Sequence, residues 1–184
     1  MNAPDKAVSW GAFSSPLGPL YAAVSGKSAL LISFTSANEE DFLSELARLS
    51  YSPSHYMDAS VVGLFQELRE YFSGNRQRFT YFADITNGTD FQRKVLQAAT
   101  QIPYGEVRSY GWLAQQAKSP KAARAAGQVM AGNQVPLIVP CHRVVASSGK
   151  LCGFAGRLRA LHLKRFLLDL ESGVSPDNDD SALA

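Results

Sequence analysis

The sequence predicts an α+β fold, with a small sheet in the first half of the chain and mostly helices in the second. Three observations support this. Short apolar runs separated by turn residues fill positions 8 to 34, helical spacing takes over from Thr89, and the charge changes sign between the two halves. The chain has 184 residues, 46% of them hydrophobic, enough for one large domain or two small ones.

Val8 to Phe13, Leu20 to Val24 and Ala29 to Phe34 read as three strands. Ser15-Pro16-Leu17-Gly18-Pro19 and Ser25-Gly26-Lys27 supply the turns between them. Ser36-Ala37-Asn38-Glu39 opens a helix whose apolar side carries Phe42, Leu43, Leu46 and Leu49. A second helix covers about Val61 to Phe72 and is closed by Gly74, and Phe79 to Phe82 is a candidate for one more strand. No nucleophile, phosphate loop or metal cluster stands out here. Residues 1–87 therefore read as a supporting domain, joined at Asn87-Gly88 to the second half of the chain.

Thr89-Asp90-Phe91-Gln92 fits a capping box, and Phe91, Val95 and Ala99 continue it at helical spacing until Pro103-Tyr104-Gly105. Ser109 can cap a second helix holding Tyr110, Leu113 and Ala114. Ser119-Pro120 offers an N-cap and a proline at the first helical position for a third helix that runs to Gly132. Two short helices joined by a tight turn form the helix-turn-helix pattern. The third helix is mostly alanine and glycine, with a lone Arg124, unlike a helix that reads base edges with long polar side chains. Small residues at Ala123 and Gly127 let a backbone approach a groove, and Arg124 could wedge into a base stack. On the plainer alternative, the alanines pack on another helix and Arg124 makes a surface ion pair.

Val135 to Pro140 then reads as a short buried extended segment, with Asn133 at its start able to bond several backbone groups and fix a turn. It ends at Pro140-Cys141-His142-Arg143-Val144. A thiolate is the nucleophilic form of cysteine, and an adjacent histidine is a standard way to generate it. Cys141 and Cys152 give no disulfide framework, and His55, His142 and His162 offer no metal-ligand spacing with them. With neither a membrane-length apolar run nor a signal peptide, a cytoplasmic protein is expected, or a nuclear one in a cell with a nucleus.

Residues 1–87 hold 6 basic and 9 acidic side chains, a net of −3, whereas residues 88–171 hold 12 and 4, a net of +8. Residues 172–184 add −3, and their Ser, Asp, Pro and Asn content reads as a disordered acidic tail. A basic block beside acidic ones points to a polyanion met by one part of the chain, unless these cations only solvate helix faces.

Pro120 to Val145, with Asn133 and Pro140-Cys141-His142-Arg143-Val144 in place, closely resembles the O6-alkylguanine-DNA alkyltransferases, also called methylated-DNA–protein-cysteine methyltransferases. The likeness extends through Gly88-Thr89-Asp90-Phe91-Gln92, Ile102-Pro103-Tyr104-Gly105-Glu106 and Leu167-Leu168-Asp169-Leu170-Glu171, and more loosely to Pro16-Leu17-Gly18-Pro19-Leu20. The resemblance implies a ribonuclease H-like N-terminal part and a winged-helix-like DNA-binding and alkyl-transfer domain over residues 88–171. It implies that Cys141 takes the alkyl group from O6 of a flipped guanine in duplex DNA, with O4-alkylthymine as a second candidate substrate. His142 would remove the thiol proton through a bound water, and Glu171 would orient that imidazole. Tyr110 would assist the leaving base, and Asn133 would act as a hinge. Arg124 would fill the space left by the base, with Ala123, Gly127, Ser109 and Lys121 also on the DNA. Met130, Val144, Phe154 and Ala155 would form the base pocket. No cofactor or metal is implied, and a monomer consumed in one reaction is expected.

Phe154, Arg157 and Gln134 depart from the family's usual tyrosine, glycine and proline, and about three extra residues lie between Leu158 and Phe166, on which the register of Glu171 depends. Two other functions stay in view. One is a lesion-recognition module, whose known examples lack the cysteine. The other is a helix-turn-helix regulator, for which the chain has no sensor domain.

Overall fold

The computed structural model describes residues 7–34, 36–86, 88–152 and 160–173. Its first half is a sheet flanked by two helices. Strands β1 (Val8–Ser15), β2 (Gly18–Ser25) and β3 (Ser28–Ser33) form an antiparallel meander. Gly18, at φ +97, makes the first turn, a conformation that favours glycine. The short strands β4 (Pro53–Tyr56) and β5 (Phe82–Ala83) add parallel edges in the order β4-β1-β2-β3-β5. The three predicted strands thus form the centre of a five-stranded sheet. No local signal marks β4, because Pro53-Ser54-His55-Tyr56 has no alternation and is exposed throughout. β5 begins three residues later than its apolar run, where Phe82 N–H reaches the Lys27 carbonyl at 3.1 Å.

Every residue of β3 is buried, as a central strand covered on both faces must be. On one face, α1 (Glu39–Arg48) seats Phe42 and Leu46 beside Trp10 and Leu31. Burial of each such side chain stabilises by about 1.5–3 kcal/mol. On the other, α2 (Ala59–Phe72) seats Val61, Leu64, Leu68 and Tyr71. That second cluster continues without a break into the C-terminal half, through Val95, Leu113, Met130, Val144 and Leu167. A backbone bond from Ile32 N–H to the Gln134 carbonyl (2.8 Å) fastens β3 to the segment before Cys141.

The C-terminal half holds α3 (Asp90–Thr100), β6 (Arg108–Ser109), α4 (Tyr110–Gln116), α5 (Ala123–Ala131), β7 (Val144–Val145) and α6 (Leu161–Ser172). β6 and β7 form a short parallel pair. The capping box forms as predicted, with Thr89 N–H on Gln92 Oε1 and Gln92 N–H on Thr89 Oγ1. Two expectations need correction. Helix α5 starts at Ala123, after an uncapped Ala122, and not at Pro120. Ser119 to Ala122 form a turn closed by Ala122 N–H on the Ser119 carbonyl, where proline's fixed φ suits the second turn position. The run from Val135 to Pro140 is buried but doubles back, with Val139 N–H on the Val135 carbonyl and Leu137 at φ +76. Prolines at 136 and 140 remove the donors a strand would need.

Candidate active site

Asn133 sets the doubled-back loop. Its side-chain amide donates to the Val139 carbonyl at 2.8 Å and its oxygen accepts from Val135 N–H at 3.2 Å, so one buried side chain ties both arms. These bonds hold Leu137 in a left-handed conformation that costs an ordinary residue about 1–2 kcal/mol. The loop delivers Cys141-His142-Arg143 as one buried 3-10 turn. Cys141 is a thiol, not a disulfide, and is 5% exposed.

Glu171, near the end of α6, meets this turn from behind. His142 Nε2 lies 2.8 Å from Glu171 Oε1, and both side chains are buried. Arg143 grips the same carboxylate with two donors, Nε on Oε2 and Nη2 on Oε1, each at 2.8 Å, and gives Nη1 to the Ile102 carbonyl. Gly105 N–H adds a bond to Oε2 at 3.0 Å. A side chain at Gly105 would place its Cβ 3.1 Å from the Glu171 carbonyl, and φ is +76, so glycine lets this turn come close.

Burial alone would raise the pKa of Glu171. Hydrogen bonds from His142 and Arg143, with the charge of Arg143, outweigh it and hold the carboxyl below the ordinary carboxylate range. Burial pulls the His142 imidazole below its usual value, against the opposing pull of Glu171. His142 is thus neutral at neutral pH. An ionised carboxylate only accepts, so Nε2 carries the ring proton and Nδ1 keeps its lone pair. Nδ1 is also the buried side-chain nitrogen or oxygen with no hydrogen-bond partner among the described residues.

Lys164, fully buried, approaches from the start of α6. Its ammonium donates to the Val144 carbonyl at 2.5 Å and the Cys152 carbonyl at 3.1 Å, and lies 6.0 Å from the centre of the Tyr110 ring. Burial lowers its pKa, and the neighbouring Cys141 and Cys152 oppose that shift. Tyr110 opens α4, half-buried, with its phenol pushed up to about 12 by burial and by the same two thiols.

The site therefore brings together Cys141, His142 and Glu171, with Lys164 and Tyr110 beside them. Met130 and Val144 are buried, and Val144 already gives one carbonyl lone pair to Lys164. On α5, Arg124 is exposed and Ala123 half-buried, and Lys121 is exposed just before the helix. Gly127 lies beside Tyr110, where a Cβ would meet the ring at 3.7 Å, an ordinary contact distance, so α4–α5 packing alone does not require glycine there. The Ser109 hydroxyl is engaged as the α4 cap, accepting from Trp112 N–H at 3.1 Å. Phe154, Ala155 and Arg157 lie outside the described residues. Sequence reasoning missed Arg143, Lys164 and Tyr71, which reaches Glu171 from α2. Lys164, Leu167 and Glu171 share one face of α6 at positions i, i+3 and i+7, and that spacing was the available signal.

A buried thiol next to a neutral imidazole with a carboxylate behind it defines a cysteine-based transfer site. Residues 90–173 match the family described as 6-O-methylguanine DNA methyltransferase, DNA binding domain, and residues 8–83 match the ribonuclease-like domain of the same enzymes. The chain is 39% identical over 162 residues to the methylated-DNA–protein-cysteine methyltransferase of Mycobacterium tuberculosis, covering 88% of this chain and 91% of that one. The crystal structure of the Mycobacterium tuberculosis O6-methylguanine methyltransferase superposes with a TM-score of 0.74 at 37% identity, over 93% of this chain and 96% of that one. A crystal structure of Mycobacterium tuberculosis OGT in complex with DNA gives 0.74 at 36% identity, over 91% and 95%. The chain belongs to the 6-O-methylguanine DNA methyltransferase family.

Proposed function

We propose that this chain repairs duplex DNA by moving the alkyl group of O6-alkylguanine onto Cys141 in a single irreversible step. The thiol proton passes to His142 Nδ1, directly or across a bridging water. The Cys141 sulfur then attacks the alkyl carbon, the new S–C bond forms as the C–O6 bond breaks, and the electron pair leaves with guanine as its anion. Tyr110, a neutral phenol at physiological pH, supplies a proton to the departing base. The product is a thioether, which no neighbouring group can hydrolyse, so each molecule acts once and the step as balanced uses no cofactor. The observation that carries this reading is His142 Nδ1, a buried lone pair one residue from the thiol while Nε2 is held by Glu171.

The target base leaves the helix to reach Cys141. Arg124 enters the vacated stack, while Lys121, Ala123, Gly127 and Ser109 lie along the DNA. Met130 and Val144, both buried, line the base pocket. Asn133 fixes the hinge between α5 and the thiol. Residues 88–171 bind and react while residues 1–87 support them. The protein acts as a monomer wherever the DNA lies, in the cytoplasm or in a nucleus. Intact and peptide mass spectrometry after mixing with duplex DNA carrying one O6-methylguanine tests the reading. One methyl group on the Cys141 peptide, absent from Cys141→Ser, is expected. Lesion binding without methyl transfer would make the chain a recognition module instead.

A further inference from the structure

The N-terminal half reads from its sequence as a support, yet one of its side chains enters the relay. Tyr71, in the last turn of α2, is fully buried and donates its hydroxyl to Glu171 Oε1 at 2.7 Å. The same hydroxyl oxygen lies 3.5 Å from His142 Nε2. Contacts with Phe72, Phe79 and Tyr104, at ring-centre separations of 5.5, 5.4 and 6.1 Å, hold the phenol ring in place. Among the described residues, Oε1 of Glu171 takes Tyr71, His142 and Arg143, while Oε2 takes Arg143 and Gly105. Tyr71 is the donor from the N-terminal half.

We propose that Tyr71 is a positioning residue for alkyl transfer, its phenol fixing the Glu171 carboxylate so that His142 is held by Nε2 with Nδ1 turned toward the thiol. The inference rests on the proton relay proposed above. Tyr71, Arg143 and His142 share the two lone pairs of Oε1, so the approach of each donor is limited by the other two. Without the phenol, Arg143 and Gly105 still hold the carboxylate, but the imidazole loses the hydroxyl 3.5 Å from Nε2 that limits its tilt. Burial first, then the charge and hydrogen bond of Glu171, push the phenol's pKa well above its ordinary value, so it stays a donor throughout the working range. Tyr71 also draws charge from Oε1 and so weakens the carboxylate's hold on a proton at His142. The groups facing His142 are Glu171 and Lys164 from α6, Arg143 and Cys141 from its own turn, and Tyr71 from α2, with Tyr104 beyond Glu171. Of these, Tyr71→Phe changes one hydroxyl and no formal charge.

The test is single-turnover methyl transfer from O6-methylguanine duplex DNA across acidic to alkaline pH, with DNA affinity and thermal unfolding measured alongside. For Tyr71→Phe the rate at saturating DNA should fall about tenfold, the equivalent of one hydrogen bond. Affinity for the duplex should stay the same, and the acid limb of the rate profile should move to higher pH. Replacing Tyr71 with 3-fluorotyrosine, a stronger donor of nearly the same shape, should move that limb the other way. This second variant decides the matter if Tyr71→Phe folds poorly. A wild-type rate and an unmoved limb in a folded Tyr71→Phe protein, or an unmoved limb with fluorotyrosine, would overturn the assignment. If the wild-type protein itself transfers nothing, it is the relay that fails.

Discussion

Helix α6 turns two opposite charges toward the same buried side, seven residues or about 10 Å apart along its axis, and treats them differently. At its end, Glu171 meets a bidentate arginine, an imidazole, a phenol and a backbone N–H. At its start, Lys164 is held by two carbonyls, and among the described residues no carboxylate pairs with it. The Glu171 charge is neutralised locally, so its effect is directional: it selects the tautomer and tilt of His142. The Lys164 charge is only solvated by dipoles, so its field extends to Cys141, and it lies 6.0 Å from the Tyr110 ring, the two groups proposed above to carry negative charge during transfer. One end of the helix holds geometry and the other supplies potential.

Breaking the geometric end should have the largest effect. Glu171→Gln is expected to slow methyl transfer at least about a hundredfold, measured in single turnovers. It should also destabilise the fold by about 3–5 kcal/mol in urea unfolding, because Arg143 is left buried without its counter-ion. The pH dependence has a definite sign. The folded-state pKa of Glu171 is depressed, so its stabilisation is complete above the ordinary carboxylate value of 4.5 and is lost as pH falls through the lower folded value. The stability gap between wild type and Glu171→Gln should therefore narrow under acid.

Lys164→Met sharpens the contrast. It removes the field while keeping most of the stem, so transfer should slow about tenfold while stability changes by no more than about 1–2 kcal/mol. The two carbonyls lose a donor, but an ammonium no longer has to be buried. A stability loss as large as that of Glu171→Gln would mean that Lys164 is structural and that the two ends of α6 do not differ in this way. Arg124→Ala, on the exposed α5, should have the smallest effect on chemistry. It should weaken duplex binding and lower the salt slope by about one, leaving alkylation of Cys141 by a small free alkyl donor unchanged.

The sequence is easiest to read where local rules act alone. The three central strands, the Thr89 capping box, the Ser109 cap and the role of Asn133 in a turn all follow from residues within a few positions of one another. Helix α5 starts late because Pro120 serves equally well inside a turn, and spacing cannot choose between the two. β4 exists only through its pairing with β1, and its own residues carry no strand signal. In the site, the adjacent Cys141 and His142 were legible, and Glu171 was reached through family resemblance. Tyr71 was not legible, because it lies 100 residues from its carboxylate partner, and in sequence a tyrosine on an apolar helix face looks like core packing. Arg143 likewise reads as a surface cation until the fold buries it against Glu171.

The proposed relay depends on the protonation of one ring, and nitrogen NMR of histidine-labelled protein reads it directly. The chain has three histidines, so assignment needs only His55 and His162 replaced in turn. At neutral pH, His142 should appear as the neutral tautomer protonated at Nε2 and should take up a second proton only below the ordinary imidazole range. A ring protonated at Nδ1, or an imidazolium at neutral pH, would leave no base for the Cys141 thiol and would contradict the mechanism.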